Sequence, residues 1–219
     1  ARRQGKGRGM GPNSMMGSAS DQDARRVLLF LAEGFEDCEA VGVLSACRWT
    51  EYRPHLPLVT VDIAGLRRYV SGRFGTSFEA DVLLGEADPA AYDALVVPGG
   101  FHDRGFDEAY GKGLRRFARQ LHEHGGVVAT LCVGVLPIAE SGLLEGGSAT
   151  TFELSRNHDN PGRLAALGCQ PTHQGVAEWN RVISCSGPAF TEEVARRLLA
   201  HLVGPEGAAE VERFRRGLA

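Results

Sequence analysis

The chain alternates short apolar runs of strand length with segments whose apolar residues recur at helical intervals. The runs 27–31, 94–97 and 127–131 are almost wholly apolar, 58–63 is interrupted by Thr60 and Asp62, and all are rich in Val, Leu or Ile, as expected of strands largely buried in a parallel sheet. Between them, Val41, Val43, Leu44 and Cys47 define the inner side of a first helix. Phe106, Tyr110, Leu114, Phe117 and Leu121 define a second, over 106–121, which Gly125 closes. Residues 73–84 alternate around glycines and read as an edge excursion. Residues 148–152 read as a short strand, 153–160 as a polar loop, and 174–185 as a β-rich piece turning at Trp179-Asn180-Arg181. A last helix begins at Thr191-Glu192-Glu193, carries Val194, Leu198, Leu199 and Leu202 inward, and is broken by Pro205; 208–218 reads as a short outer helix. The pattern predicts an α/β fold with a mostly parallel sheet.

Composition narrows this to one domain. The 219 residues are 43% hydrophobic with a net charge of −3, which fits a single α/β core and offers no broad basic surface for nucleic acid. No apolar run is long enough to span a bilayer and no secretory h-region is present, so a cytoplasmic location without membrane contact is expected. Residues 1–24 place Arg2, Arg3, Lys6 and Arg8 among glycines and serines without apolar periodicity and read as a disordered tail. The expected organisation is a tail over 1–24, a domain over 25–204 and a helical extension over 205–219. Five cysteines without a CxxC pair argue against a disulfide framework or a zinc site. Cys38, Cys47, Cys169 and Cys185 are read as packing residues, and neither metal nor cofactor is expected.

Cys132 is different. Gly125-Gly126 releases the run 127–131, which stops at Cys132-Val133-Gly134 where helical spacing resumes. A nucleophile elbow has this form, with the reactive side chain on a tight strand-to-helix turn and a small residue two positions on. A helix N-terminus there would lower the thiol pKa. Pro98-Gly99-Gly100 ends the preceding strand and can turn amides toward a ligand. Glu39 lies just past the carboxyl end of the first strand, where open α/β sheets gather their site residues; Glu36 and Asp37 suit the dipole at a helix start.

The Ala-Glu-Gly-Phe-Glu-Asp-Cys-Glu turn, the Val-Pro-Gly-Gly turn and the Ala-x-x-Cys-Val-Gly elbow, in that order, resemble the DJ-1/PfpI (ThiJ/PfpI) superfamily, whose fold is similar to that of class I glutamine amidotransferases. The resemblance implies a flavodoxin-like three-layer α/β/α sandwich and a homodimer. It makes Cys132 the reactive cysteine, Glu39 the acid hydrogen-bonded to it, and the amides of Gly100 and Val133 an oxyanion pocket. Protease-like members carry a histidine directly after the cysteine, where this chain has Val133. Others carry one after a Thr-Thr pair, where Phe152 follows Thr150-Thr151. Neither standard Cys-His dyad is present, which argues against an intracellular cysteine peptidase. His102, His158 and His173, in predicted loops or near strand ends, are the candidates to assist.

The function implied is a cysteine-dependent hydratase or hydrolase acting on a small electrophilic molecule: a dicarbonyl such as methylglyoxal, a glycated adduct, an isonitrile or an amide. Residues 139–146 also resemble the isonitrile hydratase branch. The alternative is a non-enzymatic redox or stress-response sensor using oxidation of Cys132. A ligand-sensing transcription regulator would need a helix-turn-helix, for which too few residues follow Leu202.

Overall fold

The computed structural model describes residues 24–218; the expectation for the tail falls outside the described residues apart from Ala24. In chain order the elements are β1 (Arg25–Phe30), α1 (Asp37–Arg48), β2 (Val59–Gly65), β3 (Tyr69–Ser71), β4 (Ser77–Glu79), β5 (Val82–Leu83), β6 (Ala94–Val97), α2 (Lys112–Glu123), β7 (Val127–Thr130), α3 (Val135–Ala139), β8 (Ser148–Ala149), α4 (Asn160–Ala166), β9 (Gln170–Pro171), β10 (Val176–Trp179), β11 (Val182–Cys185) and α5 (Thr191–Arg215). The main sheet runs β10-β11-β7-β6-β1-β2-β5. Its strands are parallel except β10, which pairs antiparallel with β11.

Alternation along β1 explains the three layers. Leu28 and Phe30 face one core with Leu114, Phe117, Leu121 and Ile138 of α2 and α3. Val27 and Leu29 face the other with Val43 of α1 and Val194 and Leu198 of α5, as the twofold period of a strand requires. The chain leaves β1 toward β2 and later returns to its other side through β6. The carboxyl ends of β1 and β6 therefore flank a topological switch point, where open α/β sheets form a crevice for ligands.

Several elements differ locally from the sequence expectation. The edge excursion is a separate β3–β4 hairpin followed by β5, which pairs with β2. The helix read over 106–121 is divided, because Gly111 is extended (φ −65°, ψ 149°) between a 3-10 turn over Phe106–Tyr110 and α2. Only Ser148–Ala149 of the 148–152 segment is strand, and it pairs with β9 outside the main sheet. Asn180 (φ 44°) and Arg181 (φ 61°) turn the β10–β11 hairpin with both central residues left-handed, as a type I′ turn demands. At Gly204 (φ 81°) α5 kinks and folds back so that Arg215 reaches Glu192, and Ala208 and Val211 are buried in the same core cluster as Val43 of α1 and Val194 and Leu198 of the first part of α5.

Candidate active site

Three chain segments meet at the switch point. After β1, Glu36 N–H donates to the carbonyl of Gly99 (2.9 Å) and Phe101 N–H to that of Gly34 (3.0 Å), locking the turn before α1 to the turn after β6. After β7, Leu131 is still extended (φ −126°, ψ 142°), Cys132 takes φ 52°, and a 3-10 turn over Cys132–Gly134 leads into α3. A non-glycine residue there costs on the order of 1–3 kcal/mol and has to be held by its surroundings. Two glycines permit it. A Cβ on Gly134 would collide with the carbonyl oxygens of Val97 and Pro98, and one on Gly99 would lie 2.7 Å from Cys132 Cβ and 3.1 Å from Glu39 Oε2.

Glu39 is fully buried on the first turn of α1. Its Oε2 accepts from the Gly99 amide (2.7 Å), whereas Oε1 is buried with no partner among the described residues. The hydrogen bond from Cys132 implied by the family resemblance is thus not made in this arrangement. The two groups interact through charge. Burial pushes the Glu39 carboxyl up to about 8 against the opposing Gly99 bond, with the charge of Glu36 adding to the rise. Burial also pushes the Cys132 thiol well up, the Glu39 charge adds to this, and the Val133 amide works against it. The lowering anticipated from a helix N-terminus does not occur: α3 has five residues, and one short helix end does not offset desolvation next to a carboxylate. The two groups titrate as a pair.

A cavity of about 560 Å³ opens over Cys132. Gly100 and Val133 line it, as do His102 and His158, whose rings lie 4.6 Å apart. His102 Nδ1 meets Asp107 Oδ1 at 2.6 Å, and the imidazole stacks on Tyr110, so the ring orientation is fixed. His173 is elsewhere: it is exposed, pairs with Glu153 (2.9 Å), and borders a depression that does not contain Cys132.

Three residues have roles that sequence reading missed. Glu36 lines the cavity, caps α1 by accepting from Glu39 N–H (2.7 Å), and is raised by its own burial. In the sequence it stands out only as an acid suited to the dipole at a helix start. Asp107 carried no signal, because the pairing follows from the unpredicted 3-10 turn. Asp37 accepts from Phe74 N–H (2.9 Å), Thr76 N–H (2.8 Å) and Thr76 Oγ1–H (2.7 Å), pinning the β3–β4 hairpin whose tip residue Phe74 walls the cavity. Cys38 also departs from its packing assignment. It is exposed on the first turn of α1, since Glu39, Ala40 and Val43 occupy the buried face. Cys47, Cys169 and Cys185 are buried.

Among the described residues no group of three or more His, Cys, Asp or Glu side chains could hold a metal ion, and no helix is long and apolar enough to cross a membrane.

The chain is similar over this same region to known proteins. It is 28% identical to DJ-1 homolog A of Arabidopsis thaliana over 188 residues, 85% of this chain but 45% of that protein, so it spans about half of that relative's length. A protein of Thermococcus kodakarensis named a deglycase is 28% identical over 127 residues, 58% of this chain and 71% of its own. The crystal structure of Drosophila melanogaster DJ-1beta superposes with a TM-score of 0.72 at 22% identity, covering 90% of this chain and 99% of that one, which supports the flavodoxin-like architecture. A sequence model of the DJ-1/PfpI family matches residues 25–201, and the chain therefore belongs to the DJ-1/PfpI family.

Proposed function

We propose that this chain is a cysteine-dependent enzyme acting on a small electrophilic carbonyl compound, with Cys132 as nucleophile, Glu39 as its proton partner, and the amides of Gly100 and Val133 holding the developing negative charge. The observation that carries the reading is Glu39: a carboxyl with no exposure, one oxygen unpartnered, and a pKa pushed up to about 8 at the turn that abuts Cys132. When the pair loses its first proton, the remaining one is shared, and the microstate with thiolate and neutral carboxyl is the nucleophilic one. His102, oriented by Asp107, is the acid-base group on the cavity side.

For a 2-oxoaldehyde the thiolate adds to the aldehyde carbon and the carbonyl oxygen takes the negative charge, giving a hemithioacetal once protonated. A proton leaves the first carbon for a base and returns to the second, so the first is oxidised and the second reduced without an external agent. Water then opens the resulting thioester to a 2-hydroxyacid and frees the thiol. The similarity to a protein named a deglycase supports dicarbonyls and their adducts over amides or isonitriles. A cytoplasmic homodimer belongs to the same proposal.

The unpartnered Glu39 Oε1 also favours a second reading, a redox sensor, because a protonated carboxyl there can donate to an oxygen carried by oxidised Cys132. Turnover separates the two. Purified protein is incubated with methylglyoxal, an isonitrile, an amide and a peptide beside Cys132→Ala; loss of methylglyoxal with lactate formation that disappears in the variant supports the enzyme, and no turnover of any compound refutes it.

A further inference from the structure

The cavity over Cys132 is far larger than a three-carbon aldehyde needs. At about 560 Å³ it falls within the roughly 300–1,000 Å³ of pockets that enclose drug-sized ligands. One part of its wall is apolar and aromatic, with Phe74 from the hairpin tip, Phe101 after β6, Phe152 after β8 and Pro188 before α5, and the neutral polar side chains of Ser155, Asn157 and Asn160 complete it. Phe74 and Phe101 meet edge to face, with centroids 5.5 Å apart and planes at 81°, an arrangement that leaves ring faces and edges for a third ring. The backbone at Phe152 is tied to α4, its carbonyl accepting from Asn160 Nδ2 (2.7 Å).

The charge of the walls is equally specific. Among the described residues no lysine or arginine lines the cavity; its acidic side chains are Glu36 and Asp103, beside the imidazoles of His102 and His158. Arg73 lies close by but is engaged with the rings of Phe74 and Phe101, at 5.9 and 5.5 Å from their centroids. A carboxylate or phosphate on the ligand would be desolvated against these rings and two acids, with only neutral side chains such as Ser155 and Asn157 in the lining to hydrogen-bond it and Arg73 behind the rings rather than in the wall.

We infer that this site selects neutral electrophiles bearing an aryl or similarly bulky apolar group, and disfavours anionic ones. The inference concerns the substrate class of the site and rests on the reading of Cys132 as nucleophile. An aryl ring offers more apolar area than a methyl group for Phe74, Phe101, Phe152 and Pro188 to cover. The hairpin tip makes Phe74 the determinant most open to change, because it is 67% exposed yet fixed through the Asp37 bonds.

Binding tests this without any reaction. Acetophenone, benzoate and acetone are titrated into the full chain and followed by protein chemical shifts. Acetophenone is expected to bind at least tenfold more tightly than either of the others, and Phe74→Ala to reduce that preference severalfold. Equal affinities, tighter benzoate binding, or a preference untouched by Phe74→Ala would overturn the inference. In parallel, kcat/KM for phenylglyoxal is expected to exceed that for methylglyoxal at least tenfold, and the reverse order would also overturn it. If neither aldehyde is turned over while the acetophenone preference and its Phe74 dependence hold, the enzymatic reading fails and the pocket specificity stands.

Discussion

Replacing Glu39 by glutamine removes an ionisation while keeping the side-chain shape, and the burial of Glu39 sets the size of the effect. In the unfolded chain this carboxyl ionises at its ordinary value of 4.5; in the fold it is held up to about 8. The folded state thus keeps a proton the unfolded state has released, so the native protein loses stability as pH rises between those values. At about 1.4 kcal/mol per pH unit, the loss between pH 5 and pH 8 is roughly 3–4 kcal/mol, because ionisation of the unfolded form is still incomplete near pH 5 and the folded form begins to ionise near pH 8. Glu39→Gln has no such loss. The new amide brings its own unpartnered N–H groups, but that offset does not vary with pH and cancels in the comparison. Urea unfolding of both proteins across this range should show the stability difference moving toward Glu39→Gln by roughly 3–4 kcal/mol. The window lies below the range in which thiols ionise, so Cys132 does not contribute. Parallel pH profiles for the two proteins would mean that Glu39 is ionised in the fold at neutral pH, and the proton-sharing pair would have to be abandoned.

Other outcomes follow from the same geometry. Iodoacetamide should label Cys38 and Cys132 but not Cys47, Cys169 or Cys185, and loss of activity should track Cys132 alone; peptide mass spectrometry against residual turnover checks this, and inactivation by Cys38 labelling would contradict it. The Cys132 rate should still be rising with pH beyond the range in which an ordinary cysteine ionises, because burial and the Glu39 charge hold the thiol up, and Glu39→Gln should move the profile to lower pH. His102→Ala should lower kcat by roughly 100-fold or more with the urea midpoint little changed, whereas His173→Ala should leave turnover intact. Gly134→Ala should destabilise the protein by roughly 1–3 kcal/mol or more, since the new methyl meets two backbone carbonyls.

The continuous apolar runs made the parallel sheet legible, because strands buried on both faces need no polar alternation and so announce themselves. Cys132, the Gly99-Gly100 turn and the position of Glu39 could be singled out because they lie at the end of such a strand or beyond it, whereas Val133 and the roles given to Glu39 and Gly100 came from the family resemblance. What stayed hidden depends on tertiary contact. Phe106 to Leu121 keeps helical spacing across Gly111, so the 3-10 turn that brings Asp107 to His102 leaves no periodic trace. His173 and His158 both looked like loop histidines; which one reaches the cavity is decided by the path of the loop between β8 and α4. The thiol pKa was misjudged because a strand-to-helix turn shows a nearby dipole but not the desolvation around it. Cys38 and Glu39 are adjacent in sequence, yet one is exposed and the other fully buried, a distinction the weakly patterned first turn of that helix did not make.

The left-handed backbone at Cys132 has a consequence for how reactivity arises during folding. Local interactions do not favour φ 52° for this residue. The conformation is imposed by β6 and β7 in register, by the carbonyls of Val97 and Pro98 against Gly134, and by the first turn of α1 against Gly99. These partners are separated by up to about a hundred residues along the chain, and non-local pairings of this kind form late. Until they do, the segment carries an ordinary, solvated cysteine without Glu39 beside it. A nascent or partly unfolded chain therefore differs in chemical kind from the finished protein, and the special properties of this thiol serve as a reporter of complete assembly.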